Sequence, residues 1–260
     1  MKATIMAIKE FLNTYHVFNM QDFKLAFPDS SADVNLLSRA VGNGRVKRVR
    51  QGLYVSAAER FAGVFPSPFD VGMKAVDDAV FCYHSALQLH GVLHNVVNRT
   101  QFYTRRRVPD FEYGGHRYFP LQLNEREVNA QSLLLPSGKS YLVTTREQTV
   151  VDCLYRVSSA GGPENVLRSL SGFTYLDADR AAELAVQMNR STCARLGWVL
   201  EVQRSEWRIG DEVLDRLRKV IGHGPHYFYS SGASKDRYWS KGWKLYLPYP
   251  EKEMIAWLRT

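Results

Sequence analysis

An α+β chain with an N-terminal winged helix-turn-helix domain and a mixed α/β domain after it is predicted by three features of the sequence. Apolar residues recur at helical spacing through the first forty residues and stop at Gly42 and Gly44. Two β-prone runs then flank Arg50-Gln51-Gly52. Beyond residue 79, short β-like runs give way to a series of amphipathic helical stretches. At 260 residues the chain can bury more than one core. Its 45% hydrophobic and 23% charged content is that of an ordinary globular protein.

Residues 2–15 form the first predicted helix, with Ile5, Ile8, Phe11 and Leu12 on one stripe and Lys9, Glu10 and Asn13 outside it. Asn19 can cap a short helix over 20–26, whose Phe23 and Phe27 would meet the first; Pro28 ends it. Ser30, Ser31 and Asp33 each offer a side-chain oxygen to the next helix start. Val34, Leu37 and Val41 then face a core, flanked by Leu36 and Ala40, while Ser31, Asn35, Ser38 and Arg39 lie opposite. Runs at 46–49 and 53–55 make a hairpin with Gly52 at the position that needs a left-handed backbone. Three helices followed by a cationic hairpin give the winged-helix order over 1–60, with the third helix in the major groove and the hairpin on the backbone. A charged hairpin is also a common solvated edge. Gly63, Pro66 and Pro68 make 57–69 a poor helix and a plausible connector to a second domain over 61–260.

In that second domain, 71–76 reads as part of a helix and 79–83 as a short buried strand. A helix opening at His84 stops at Gly91, and 102–104, 117–123 and 140–144 are β-like. Five helices follow at 145–157, 163–170, 177–189, 191–203 and 211–220, then aromatic β-like pieces at 226–229 and 243–247 and a helical tail.

The formal net charge of +8 favours an anionic partner. Between residues 34 and 60 stand Arg39, Arg45, Lys47, Arg48, Arg50 and Arg60, against Glu59 alone. Asn35, Ser38 and Arg39 are the expected groove-facing residues, with Ser31 on a phosphate at the helix start. Lys47, Arg48 and Arg50 are the expected wing contacts to phosphate or the minor groove. Arg99 with Arg105, Arg106 and Arg107 forms a second basic cluster, for DNA phosphate, an acidic protein or RNA, or simply a solvated edge. The late aromatics Tyr227, Phe228, Tyr229, Tyr238, Trp239, Trp243 and Tyr246 suit a core better than a stacking platform.

Catalytic patterns are scarce. No C-x-x-C, H-E-x-x-H, G-x-G-x-x-G, P-loop or nucleophile elbow occurs. His90/His94 and His223/His226 are spaced for metal, but Gly91 and Gly224-Pro225 interrupt them. Gly161-Gly162-Pro163 could present amides to an anion, but more simply turns the chain. A nuclease would need clustered carboxylates; Asp152, Glu183 and Glu201 are the candidates, with Asp152 also readable as a partner of Arg146 or Arg156. The expectation is a non-enzyme without metal or cofactor. Cys82, Cys153 and Cys193 are odd in number and sit in apolar surroundings, as reduced core residues do. No apolar run is long enough to span a bilayer, and polar residues interrupt the first sixteen positions too soon for a signal peptide, so a cytoplasmic location is expected.

Four stretches in order resemble the AbiEi family of antitoxins, from bacterial type IV toxin–antitoxin and phage-defence systems. They are the hairpin ending Arg50-Gln51-Gly52-Leu53-Tyr54-Val55; His84-Ser85-Ala86-Leu87 through His90-Gly91; Arg146-Glu147-Gln148-Thr149-Val150-Val151-Asp152 with Gly161-Gly162; and Arg195-Leu196-Gly197-Trp198-Val199-Leu200-Glu201. The loops over 57–78 and the tail after Gly222 depart from the family pattern. The resemblance implies a cytoplasmic, non-enzymatic repressor of its own operon that binds inverted repeats, as a homodimer or as cooperating monomers. It also implies that the C-terminal domain counters a nucleotidyltransferase-like toxin without a stable complex.

Overall fold

The computed structural model describes residues 2–28, 31–124, 126–229 and 237–259; the side chains of 2–6 and 31–34 are outside the description. Ser30 and the side chains of Ile5, Ser31, Asp33 and Val34 therefore lie outside the described residues. The chain begins α1 (Lys2–Thr14), β1 (Val17–Asn19), α2 (Met20–Ala26), α3 (Ser31–Gly42), β2 (Val46–Arg50), β3 (Leu53–Ser56) and α4 (Pro68–Ala75). Next come β4 (Val80–Phe81), α5 (Tyr83–Leu89), β5 (Arg99–Thr104), β6 (Phe111–Tyr113), β7 (His116–Gln122), β8 (Ala130–Leu134) and β9 (Ser140–Thr144). The helices α6 (Arg146–Tyr155), α7 (Pro163–Ser171), α8 (Ala178–Met188), α9 (Arg190–Val202) and α10 (Asp211–Ile221) follow. The last described elements are β10 (His226–Tyr227), β11 (Tyr238–Ser240), β12 (Leu245–Leu247) and α11 (Glu251–Trp257). The mixture of separate sheets and helical layers is α+β, as expected.

Two compact units are present: Met1–Ala79 with Asn98–Asn124, and Val80–Val97 with Glu125–Thr260. This differs from the expected division near residue 60, because α4 and the strands β5–β7 fold with the N-terminal segment. Pro68, expected to oppose helix, starts α4 instead: proline is tolerated at the first helical position, and the Ser67 hydroxyl accepts from the Phe69 N–H.

In the first unit Ile8, Phe11, Leu12, Phe18, Phe23, Leu37, Ala40, Val46 and Tyr54 form one core. Phe11 is its hub, with ring centroids 5.1 Å from Phe18, 5.7 Å from Phe23 and 5.5 Å from Phe27. Asn19 caps α2 in a reciprocal box: its side chain accepts from the Asp22 N–H while the Asp22 carboxylate accepts from its own N–H. The same carboxylate pairs with Lys74 of α4 at 2.7 Å. Three strands in the order β1-β3-β2 close this part, antiparallel throughout. A second ladder in this unit runs β6-β7-β5, with β5 and β7 parallel.

The second unit sets β4-β9-β8 beside a helical layer in which α9 packs on α6, α8 and α10. Cys82, Cys153 and Cys193 are buried and form no disulfide.

Candidate nucleic-acid interface

Asn35, Ser38 and Arg39 stand at i, i+3 and i+4 on α3, so they share one side of the helix, and all three are exposed. Leu37 and Ala40 point the other way and are buried. The helix ends as its glycines require, with Gly44 (φ 75°), not Gly42, in the left-handed region.

The hairpin follows at once. Pairing runs Val46↔Ser56, Lys47↔Val55, Arg48↔Tyr54 and then, after a bulge, Arg50↔Leu53, so Gln51 and Gly52 (φ 78°) make the turn. Facing residues of a ladder share a side of the sheet. Arg48 therefore shares its face with Tyr54 and Val46, which pack on the helices, and its side chain is exposed. Lys47, also exposed, shares the opposite face with Val55 and Val17. The bulge turns Arg50 to that opposite face too.

Arg50 is thus separated from Arg48. Its guanidinium lies 5.3 Å from the centroid of the Phe111 ring of β6, it is half-buried, and its Nη1 is shut off from solvent without a hydrogen-bond partner. Phe111 in turn stacks on Tyr118 at 4.6 Å with the rings nearly parallel. The residue expected as a backbone contact is engaged as a cation over an aromatic stack.

The second basic cluster also divides. Arg99 opens β5 and Arg105 follows its end, so the length of the strand, about 17 Å, separates them. Arg99 and Arg117 are opposite one another in the β5–β7 ladder and lie 5.1 Å and 5.0 Å from the centroid of the Phe119 ring. Arg105, Arg106 and Arg107 are exposed on the loop between β5 and β6. Asp78 organises that loop, accepting from the Thr104 hydroxyl at 2.5 Å and the Arg105 N–H at 2.8 Å. Burial pushes the Asp78 carboxyl up, but the Thr104 and Arg105 hydrogen bonds and the Arg106 charge outweigh it and hold it below 3.8. Arg106 pairs with Asp77 at 2.7 Å. Phe111, Asp77 and Asp78 are the members that sequence reasoning missed; the one signal was an acidic pair in an otherwise basic unit.

In the second unit the remaining motifs hold structure. His84 Nε2 and His90 Nε2 meet the carbonyls of Asn95 and Thr144, both at 2.9 Å, and Gly91 (φ 74°) follows α5. Asp152 is fully buried against Arg126 at 2.6 Å and the Gln148 amide at 2.9 Å, not against Arg146 or Arg156. Arg195 donates to the carbonyls of Leu154, Tyr155 and Tyr227, and its burial lowers it to about 10. Glu201 accepts from the Trp243 indole and pairs with Arg218, and Glu183 pairs with Arg180. The three acids considered for a nuclease are each held separately, and no group of three His, Cys, Asp or Glu that could hold a metal ion occurs among the described residues. No described helix is long and apolar enough to cross a membrane.

No family model and no curated protein sequence matches this chain. Among solved structures, the chain is similar to the RV2827C protein from Mycobacterium tuberculosis, with a TM-score of 0.66 at 12% identity, covering 97% of this chain and 92% of that one. At that identity the likeness shows a shared fold alone.

Proposed function

We propose that residues 2–56 are a winged helix-turn-helix module that binds double-stranded DNA, with α3 in the major groove and the β2–β3 hairpin as the wing. The observation that carries this reading is the exposed row of Asn35, Ser38 and Arg39 on α3, followed directly by a hairpin whose Arg48 shares the helix-packed face of its sheet. Asparagine and arginine are the side chains that read adenine and guanine edges bidentately, and Arg48 and Lys47 suit phosphate. Ser31 would meet a phosphate at the start of α3. The first unit carries 15 Lys+Arg against 10 Asp+Glu, five of the eight net positive charges.

On the resemblance to AbiEi antitoxins, the protein is a cytoplasmic autorepressor and antitoxin without enzymatic activity. Two copies occupy an inverted repeat upstream of its operon, and the second unit counters a nucleotidyltransferase-like toxin. Gel retardation of the DNA upstream of its own gene tests the binding half. Retardation of that DNA over unrelated duplexes, with discrimination relaxed by Arg39→Ala, is the expected result. No retardation at low salt would sink the reading and return the basic face to an acidic protein partner.

A further inference from the structure

We infer that one face of the β10-β12-β11 sheet binds single-stranded RNA, whose bases stack on a row of aromatic rings that ends at Trp239. All of its residues belong to the second unit, and the inference does not rest on duplex binding by the first. The registers set Tyr227 opposite Tyr246 and Tyr246 opposite Trp239, so the three side chains stand in one row on one side of the sheet. Leu245 and Leu247 alternate with Tyr246, point the other way and are buried. Along the row the ring centroids of Tyr227 and Tyr246 are 5.3 Å apart at 22°, and those of Tyr246 and Trp239 are 4.8 Å apart at 53°.

The row is open at one end. β11 is an edge strand, so no strand of this sheet lies beyond Trp239. Of the five tryptophans, the other four are at most 6% exposed, and Trp239 is 47% exposed. A base set beside that indole continues a column of rings already formed. The charge beside the row selects the occupant. The Arg237 guanidinium lies 4.8 Å from the centroid of the Tyr227 ring, and residues 237–249 carry Arg237, Lys241 and Lys244 with no Asp or Glu. Rings flanked by cations match bases joined by phosphates, whereas an uncharged sugar or an apolar segment would leave the cations unused. RNA loops and ends offer the unstacked bases that a duplex keeps covered. Phe228 and Trp243, from the same aromatic stretches, are fully buried and take no part.

The test is fluorescence anisotropy of a labelled oligouridylate of about 12 nucleotides with the full-length protein, across a salt series. The wild type should bind it at low salt, and Trp239→Ala should weaken binding about tenfold. Trp239→Phe, which keeps a ring, should restore most of the affinity. Arg237→Ala should make the slope of log affinity against log salt shallower by about 0.7. None of the three should change the affinity for the upstream duplex. A wild type that leaves the oligouridylate unbound at low salt overturns the proposal, as does equal affinity in the wild type and Trp239→Ala. Self-association in sedimentation that Trp239→Ala abolishes would overturn it too, by giving the face to a second copy of the chain.

Discussion

Gly197 sits in the middle of α9 where a Cβ would lie 2.0 Å from the Trp243 ring, which is fully buried. Only a hydrogen fits there, so Gly197→Ala must displace the indole and break its bond to Glu201. A loss of about 3 kcal/mol is expected in denaturant unfolding; a variant within about 0.5 kcal/mol of wild type would contradict the packing. Two positions earlier, the Arg195 guanidinium donates to three carbonyls that no shorter side chain could reach together. The stretch Arg195–Glu201 is legible as a motif in the sequence, but its reason is not: Gly197 and Glu201 answer to a tryptophan more than forty residues away. Arg50 teaches the same lesson. Charge and position assign it to the wing, yet its partner Phe111 lies sixty residues on. A double-mutant cycle of Arg50→Ala and Phe111→Leu should give a coupling of about 1 kcal/mol; independent effects would remove the stack from the account.

Helices were the legible elements, because caps and breakers write their ends locally. Asn19, Gly44 and Gly91 each act where the sequence places them. Short strands were not. The three-residue β1, β6 and β11 are too brief for alternation to show, and they form because a partner strand is already present. The bulge in β2 depends on the ladder and is equally invisible, although it decides that Arg48 and Arg50 part company. The docking of α5 on β9 carries its own pH signature. Burial, followed by the Arg146 charge, lowers His90 below 6.5 despite its bond to the Thr144 carbonyl and the nearby Glu147. Burial lowers His116 as well. The neutral forms are favoured in the folded state, so their contribution is full above pH 6.5 and is lost as pH falls through the depressed folded values. Thermal stability should decline on acidification in that window, and His90→Gln, which keeps a donor and does not titrate, should flatten part of the decline. An identical pH profile for the variant would show that His90 is not held neutral.

At the scale of the whole chain, the division into units is the feature composition could not supply. The prolines over 66–68 mark a helix start, and residues 98–124 return to the unit that the first 79 residues begin. A fragment ending at residue 60 would lack α4 and the β6-β7-β5 ladder, leaving buried Val17, Leu53 and Val55 without their cover on one face of β1-β3-β2. It should unfold without a cooperative transition, and a sharp melt at the temperature of the full chain would show the N-terminal part to be self-sufficient. The charge surplus between 34 and 60 was readable from residue order, but its placement was not. Arg39 lies on α3, Lys47, Arg48 and Arg50 are split between the two faces of the hairpin, and Arg45 and Arg60 lie outside both elements. The most direct measurement is the affinity of the full chain for its upstream DNA across a salt series, for the wild type, Arg39→Ala and Arg48→Ala. Tight, salt-sensitive binding by the wild type is expected, with a slope shallower by about 1 for Arg48→Ala and weakened discrimination for Arg39→Ala. Equal affinity and equal slope in all three proteins would contradict the DNA-binding reading.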